Sequence, residues 1–143
     1  MNIVTTLFAL LPLVVAQVPL ATNIGWDKLI TPFKSECMCR TGVDPVRIPK
    51  WVYNYSFPQD SCLKCYIKCT FAHLNVLNPD GTINLEANSA LNKYVPGRTD
   101  NITYPCADKV ANETDLCDKM FKFSFCIQTG IMNAAKQNAS TSN

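Results

Sequence analysis

Apolar residues recur at helical spacing along most of the chain, and no segment alternates convincingly between apolar and polar residues. The first helical set consists of Trp26, Leu29, Ile30, Phe33 and Cys37. Pro32 lies inside this set and should bend the helix, because proline lacks an N–H and clashes with the preceding turn. Gly42 is suited to end it, since glycine accepts the left-handed backbone of a helix C-terminus.

Capping residues mark two further helices. Asp44 followed by Pro45 is typical of an N-cap and a first helical turn, and it predicts a short second helix. Pro49 should distort that helix after one turn. Asp60 or Ser61 can cap a third helix, which begins at the next apolar run.

The third predicted helix is apolar around most of its circumference. One face carries Cys62, Cys65, Cys69, His73 and Val76, and another carries Leu63, Ile67, Phe71 and Leu74. The polar strip between them is narrow and consists of Lys64, Lys68 and Asn75. Because such a helix must bury most of its surface, we expect it in the middle of a helical bundle.

The remaining pattern predicts three more helices. Residues 78–81 (Asn-Pro-Asp-Gly) form a turn, and residues 84–94 form a fourth helix that ends before Pro96. Thr99 or Asp100 opens a fifth helix.

Pro105 should shorten that fifth helix. Asp115 begins a sixth, whose apolar side carries Met120, Phe123 and Ile127. Residues 133–143 are rich in Asn, Ala, Ser and Thr, and we expect a loose tail there. The fold class predicted is therefore all-α, with about six helices.

The N-terminus determines the compartment. Residues 3–15 are mostly apolar, but they are too few for the roughly 20 residues that span a bilayer. Compact residues then precede Gln17, as at a secretory cleavage site. We therefore expect a signal peptide over 1–16, a domain over 17–143, and a secreted, extracellular product with no stable membrane insertion.

The charge of the chain excludes some partners. Thirteen Lys and Arg residues oppose eleven Asp and Glu residues, which gives a net charge of +2. No cluster of Lys and Arg is present to neutralise phosphates, so we expect no nucleic-acid partner. Four glycosylation sequons are present, of which we expect one or two to be used, and Asn138 is the most accessible: Asn54, Asn101, Asn112 and Asn138.

Eight cysteines follow the predicted signal peptide, where an oxidising compartment favours pairing. Residues three or four apart on a helix have Cβ atoms about 5–6 Å apart, whereas a disulfide needs about 3.5–4.5 Å. Cys62, Cys65 and Cys69 should therefore not pair with one another. The third helix becomes a hub that is cross-linked to the first helix and to the C-terminal half.

A metal site is the competing interpretation of these cysteines. The spacing of Cys62, Cys65 and Cys69 resembles that of thiolate ligands, and Cys37 and Cys39 add two more. Because thiols oxidise outside the cell, we expect no metal and no cofactor. A redox role for the pair Cys62 and Cys65 is disfavoured in the absence of a βαβ pattern.

The cysteine ladder and several short motifs resemble the insect odorant-binding proteins of the pheromone- and general-odorant-binding family. The matching positions are Glu36-Cys37, residues 41–45, Phe57-Pro58, residues 63–69, Asp80-Gly81, Cys106, residues 115–117, residues 121–123 and Cys126. The resemblance covers nearly all of the predicted mature chain. It implies about six α-helices around an apolar cavity, stapled by three or four interlocked disulfides. Its implied pairs are Cys37–Cys69, Cys65–Cys117 and Cys106–Cys126.

Cys39 and Cys62 depart from the family pattern. The simple hypothesis is a fourth bridge between them. The alternative exchanges partners, so that Cys39 pairs with Cys69 and Cys37 pairs with Cys62. Peptide mapping of the non-reduced protein distinguishes the two.

The resemblance implies an extracellular carrier that reversibly binds an odorant, a pheromone or a lipid-like ligand, with an encounter with a chemoreceptor as a further expectation. The cavity wall is predicted to be apolar: Phe33, Phe71, Leu74, Leu77, Leu91, Tyr94, Met120, Phe123 and Ile127. Tyr94 or Tyr104 would supply a polar contact. We expect about half of this set to be core alone, because apolar stripes at helical spacing are usually core.

His73 is the only histidine, and its place on the cysteine face favours a structural role over a pH sensor. An enzyme is disfavoured, because one histidine and no Ser/His/Asp constellation offer no catalytic machinery. The alternative function is a secreted salivary or seminal effector or scavenger with the same fold. No residue pattern specifies the ligand or the oligomeric state.

Overall fold

Residues 18–142 are described by the structure, a computed structural model. The predicted signal peptide, residues 1–16, lies outside this part of the chain. The helices are α1 Leu20–Ile30, α2 Lys34–Thr41, α3 Arg47–Asn54, α4 Ser61–His73, α5 Leu85–Ala90, α6 Asp100–Lys109 and α7 Leu116–Thr141. Two 3₁₀ turns, Thr31–Phe33 and Leu91–Lys93, follow α1 and α5. The all-α prediction is confirmed, and the described residues contain no strand beyond one isolated bridge, between Leu77 and Ile83.

The first two helices are one helix bent at Pro32. The bend is the 3₁₀ turn Thr31–Phe33, in which Pro32 takes an early position that needs no N–H donor. Gly42 ends α2 at φ +65°, and its N–H donates to the carbonyl of Met38 at 3.0 Å. Counting α1 and α2 together, residues 18–142 contain the six helices that the sequence predicts.

Side-chain caps begin three of the later helices. The Asp60 carboxylate accepts a hydrogen bond from the Leu63 N–H at 2.7 Å, and Asp115 accepts from the Asp118 N–H at 2.8 Å. Asn84 does the same for α5, where its side-chain oxygen accepts from the N–H of Ala87 at 3.0 Å. Each cap satisfies one of the amide donors that a helix start leaves without a partner.

The expected effects of the prolines are wrong at two positions. Pro49 is the third residue of α3 and does not distort it, because the first N–H groups of a helix have no partner within the helix. Pro105 lies inside α6, which nevertheless continues to Lys109. The carbonyl that loses its donor there belongs to the exposed Asn101, where water can replace it. Asp44 does not cap α3 directly, since its carboxylate accepts from Val46 and the helix begins at Arg47.

The C-terminal segment also differs from the expectation of a loose tail. Helix α7 continues through Thr141, although its residues are exposed from Lys136 onward. Ala, Lys and Gln are good helix formers, and they extend a helix that the core has already nucleated.

Helix α4 occupies the middle of the bundle, as its sequence predicts. It packs against α7 over the largest helix–helix contact within residues 18–142 and against α2 on another side. Its buried residues are Leu63, Tyr66, Ile67, Thr70 and Phe71. On the cysteine face of α4, Cys65 and Cys69 are partly buried and form disulfides, whereas Cys62 is exposed.

Three disulfides link the helices, and they are the pairs that the resemblance implies. Cys37–Cys69 joins α2 to α4, Cys65–Cys117 joins α4 to α7, and Cys106–Cys126 joins α6 to α7. The linked residues are 32, 52 and 20 positions apart along the chain. Closure of loops of this size restricts the unfolded chain, and each bridge stabilises the fold by about 3–4 kcal/mol in the chain-entropy model.

The fourth bridge is not formed. Cys39 and Cys62 are both unpaired and exposed. Cys39 follows Cys37 by two residues, which turns it roughly 200° around the helix axis and away from α4. The exchanged pairing is excluded as well, because Cys37 bonds to Cys69.

Candidate functional site

An internal cavity lies where α1, α3, α4 and α7 meet the segment that follows α5. Its wall is largely apolar and consists of Thr22, Asn23, Trp26, Val52, Tyr55, Phe71, Val95, Arg98, Ser124, Ile127, Gln128 and Ile131. The volume of the cavity is about 30 Å³. This is room for about one water molecule.

The longest stretch of wall comes from α7. Ser124, Ile127, Gln128 and Ile131 follow one another at helical spacing and form one stripe of the helix. The same stripe begins further toward the N-terminus with Met120 and Phe123, which are fully buried. The wall of the cavity is thus a continuation of the core face of α7.

Aromatic side chains form one end of the cavity. The ring of Trp26 lies 5.3 Å from that of Phe71 and 6.1 Å from that of Trp51, measured between centroids. Phe71 in turn packs edge-on against Phe123 at 5.7 Å. The indole N–H of Trp51 donates to the hydroxyl of Ser124 at 3.2 Å, which fixes that hydroxyl at the cavity wall.

Tyr55 closes the cavity between α3 and α1. Its backbone has φ +52°, a left-handed conformation that ends α3 and is uncommon for a residue with a side chain. The Tyr55 hydroxyl donates to the side-chain oxygen of Asn23. Burial raises the pKa of Tyr55 to about 12, so this donor keeps its proton at neutral pH.

Three buried polar atoms of the wall have no hydrogen-bond partner among the described residues. They are the indole nitrogen of Trp26, Nε of Arg98 and Oε1 of Gln128. A buried polar atom without a partner costs about 1–3 kcal/mol. A fourth such atom, the hydroxyl of Tyr66, belongs to a residue outside the cavity wall. Three wall residues thus have an unused hydrogen-bonding group, and the cavity is suited to a ligand that carries a polar atom.

Arg98 is held by two asparagines. One guanidinium nitrogen, Nη1, donates to the carbonyl of Asn88 at 2.5 Å and to the side chain of Asn92 at 2.6 Å, and Nη2 donates to the side chain of Asn88. Burial lowers the pKa of Arg98 to about 10, although nearby Asp100 acts in the opposite direction. The guanidinium is therefore still charged at neutral pH.

Of the side chains predicted to bind ligand, the structure places Phe71 and Ile127 at this cavity. Phe123 and Met120 are buried behind the wall, and Leu77 and Leu91 are buried outside it.

The other residues that were predicted to contact the ligand do not line the cavity. Phe33 and Leu74 are partly buried and pack against the core. Tyr94 and Tyr104 are 51% and 38% exposed, so neither reaches the cavity as the polar contact that we expected. Tyr104 instead shares a hydrogen bond with Ser89 at 2.9 Å.

Sequence reasoning missed most of the polar wall. Ser124 and Gln128 stand on the apolar stripe of α7, and polar residues at such positions are a usable signal for a site. Arg98 lies in the loop between α5 and α6, where no periodicity applies. Tyr55 was overlooked because it follows a helix C-terminus whose left-handed turn is usually made by glycine.

His73 lies away from the cavity, at the contact between α4 and α2. Its ring stacks on Phe33 with 4.7 Å between centroids, and its Nε2 is 3.4 Å from a carboxylate oxygen of Glu36. The sulfurs of Cys37 and Cys69 are close to it, within 4.8 Å. Both sulfurs belong to a disulfide, so they do not offer the thiolates that a zinc site uses.

Two wider depressions lie on the surface. One, of about 440 Å³, follows the contact of α2 with α4 beside Arg40, Lys68 and His73. The other, of about 560 Å³, follows α6 and α7 beside Ile102 and Phe125. Both are more open to solvent than the internal cavity and would leave more of an apolar ligand in contact with water.

The four sequon asparagines are all exposed in the structure. Within residues 18–142, none of the helices combines the length and the apolar character that crossing a bilayer requires.

Comparison with known proteins gives one match. The chain matches the PBP/GOBP family over residues 26–130, a range that includes all three disulfides and nine of the twelve residues of the cavity wall. No curated protein and no solved structure matches the chain significantly.

Proposed function

Because the chain belongs to the PBP/GOBP family, we propose that it reversibly carries small hydrophobic molecules and that they bind in the cavity between α1, α3, α4 and α7. The observation that carries this proposal is the composition of the wall: it combines apolar and aromatic side chains with three residues that each have a buried polar atom without a partner among residues 18–142. An apolar site with a few convergent polar groups is the usual form of a small-molecule site.

The cavity must widen to accept a ligand. Its volume of about 30 Å³ is below that of any odorant-sized molecule. A large empty cavity would cost stability, since each cubic ångström of void costs about 24 cal/mol in buried cores. A closed resting form that opens around the ligand avoids this cost.

The positions of the disulfides suggest which side opens. The bridges connect α2, α4, α6 and α7. Helices α1 and α3, and the segment that carries Val95 and Arg98, have no disulfide of their own. We therefore expect the cross-linked helices α4 and α7 to act as a fixed wall and the other elements to move outward.

The expected binding free energy is moderate, which suits a carrier that must also release its ligand. Burial of about 200–300 Å² of apolar ligand surface contributes roughly 5–7 kcal/mol before ordering costs. One or two hydrogen bonds add about 1 kcal/mol each, which brings the sum near −8 kcal/mol, the value for micromolar affinity.

Fluorescence tests the proposal, because the protein has two tryptophans and Trp26 lies at the cavity. Medium-chain alcohols, aldehydes and acids should displace the probe N-phenyl-1-naphthylamine and quench tryptophan emission at micromolar concentration. In the variant Trp26→Phe, the quenching should largely disappear while displacement persists. Absence of displacement by every member of such a series would contradict the proposal.

Secretion and glycosylation at Asn54, Asn101, Asn112 and Asn138 belong to the same proposal. The exposed sequons and the disulfides support it. Native mass spectrometry of the protein from its source would detect the glycans and any retained ligand together. The effector alternative predicts instead a protein target and expression confined to salivary or seminal tissue.

A further inference from the structure

Arg98 is the one charged residue in the wall of the cavity, and only 4% of its surface is exposed. A buried charge is costly unless an opposite charge or a full set of hydrogen bonds compensates it. The partners of Arg98 within residues 18–142 are the neutral groups of Asn88 and Asn92. The guanidinium thus lacks a direct anionic partner in the described part of the chain.

Asp100 is the acidic group that influences Arg98, and it does not bind the guanidinium directly. Its carboxylate accepts a hydrogen bond from Asn92 at 2.7 Å, and Asn92 in turn accepts from Arg98. The asparagine therefore separates the two charges. The arrangement fixes the guanidinium and leaves part of its hydrogen-bonding capacity unused.

The unused capacity includes the Nε–H of Arg98. A guanidinium has five N–H groups, and three are donated to the asparagines. Nε is buried and has no partner within residues 18–142, and the same is true of the indole N–H of Trp26, which lines the same cavity. Two such donors, one of them charged, therefore belong to residues that line an otherwise mostly apolar cavity. Carboxylates are the small organic groups that best match a guanidinium, because both oxygens accept charge-assisted hydrogen bonds.

We propose that the ligand of this cavity is an apolar molecule with a terminal carboxylate, bound through Nε of Arg98 and the indole N–H of Trp26. This inference rests on the proposed carrier function and narrows its ligand to one chemical class. The apolar tail would lie along Ile127 and Ile131 of α7. Gln128 lines the cavity as well, but its unpartnered Oε1 is an acceptor and does not pair with a carboxylate.

A neutral ligand would use the site less completely. An alcohol or an aldehyde can pair with Trp26 or with Gln128, but it brings no negative charge to Arg98. Hydrogen bonds to charged groups are roughly twice as strong as those between neutral groups. We therefore expect the acid to bind about tenfold more tightly than a neutral molecule of equal chain length.

The test uses the full mature chain with its disulfides intact and a matched set of octanoate, 1-octanol and octanal near neutral pH. Displacement of N-phenyl-1-naphthylamine should show octanoate as the tightest of the three by about tenfold. Equal or weaker binding of octanoate would overturn the carboxylate inference and leave the carrier function intact. Failure of all three to bind would instead reject the carrier function itself.

A variant pair then assigns the preference to Arg98. Arg98→Gln should remove the advantage of octanoate over 1-octanol while 1-octanol still binds. The control Lys93→Gln removes the same charge from an exposed position nearby and should leave the advantage unchanged. A preference that persists in Arg98→Gln, or that Lys93→Gln abolishes, would contradict the assignment. Because Arg98 also holds Asn88, circular dichroism must first show that the variant is folded; if it is not, Trp26→Phe supplies the test and should reduce the advantage severalfold.

Discussion

Tyr55 and Asn23 are joined by a hydrogen bond that links the end of α3 to α1 across the side of the cavity that has no disulfide. The hydroxyl of Tyr55 donates, and the side-chain oxygen of Asn23 accepts. Two residues before Tyr55, Tyr53 makes a similar link from α3 to Asp27 of α1, but this one is exposed. The protein therefore has a partly buried and an exposed version of the same connection.

The first prediction compares these two tyrosines. Tyr55→Phe should lower the free energy of unfolding by about 1 kcal/mol, because it removes a partly buried hydrogen bond and leaves Asn23 with one partner fewer. Tyr53→Phe should lower it by less than about 0.5 kcal/mol, since water replaces an exposed partner. Urea denaturation measures both. An equal loss of unfolding free energy in the two variants would show that the Tyr55 hydrogen bond stabilises the fold no more than the exposed one does.

The second prediction concerns the alkaline titration of the tyrosines. Burial raises the pKa of both Tyr55 and Tyr66 from 10.0 to about 12. In the unfolded chain these groups ionise near pH 10, so their contribution to stability is complete below pH 10 and is lost as pH rises toward 12. Phenolate absorbance should show a late ionisation step near pH 12, which Tyr55→Phe and Tyr66→Phe each reduce. Complete ionisation of all tyrosines by pH 11 in folded protein would contradict this.

The third prediction enlarges the cavity. Ile131→Ala removes wall atoms and should cost about 2–4 kcal/mol of stability while it raises the affinity for ligands bulkier than octanol. Ile48→Ala is the control, because Ile48 is also buried but lies outside the cavity wall. It should cost a similar amount and leave ligand affinity unchanged. A gain in affinity for both variants, or for neither, would place the binding site elsewhere.

The fourth prediction counts free thiols. Thiol titration of the native protein should find two reactive groups, Cys39 and Cys62, because both are unpaired and exposed. Replacement of either by serine should change the free energy of unfolding by less than about 0.5 kcal/mol, whereas Cys69→Ser should cost about 2–5 kcal/mol. Peptide mapping that finds Cys39 bonded to Cys62 would refute this arrangement.

The fifth prediction concerns His73, which touches Phe33 and Glu36 rather than the cavity. His73→Ala should barely change the dependence of ligand binding on pH between about 5 and 7, because His73 lies away from the cavity. Probe displacement at several pH values measures it. A large loss of pH dependence would make His73 a switch rather than a structural contact.

The prolines show where sequence reasoning reached its limit for the fold. Pro32 bends its helix as predicted, but Pro49 and Pro105 do not interrupt theirs. The cost of a proline depends on its position in the helix and on whether water reaches the freed carbonyl. Both depend on where the helix begins and on how it packs in the folded protein, and the sequence alone does not specify these.

Sequence reasoning was more limited for the ligand cavity than for the fold. Helical spacing identified the stripe of α7 that contains Ile127, and it also identified Phe71 on α4. It did not distinguish those two from Phe123 or Met120, because periodicity reveals which face of a helix is buried and not what that face meets.

By itself, the amino-acid sequence determined the helices and the central position of α4, since caps and apolar periodicity act through neighbouring residues. Its resemblance to a family implied the three disulfides. Only the tertiary structure decided that a loop residue, Arg98, lies beside Trp26 and Gln128 in one cavity. Their proximity depends on how α1, α7 and the loop after α5 pack together, and packing between distant segments leaves no local pattern in the chain.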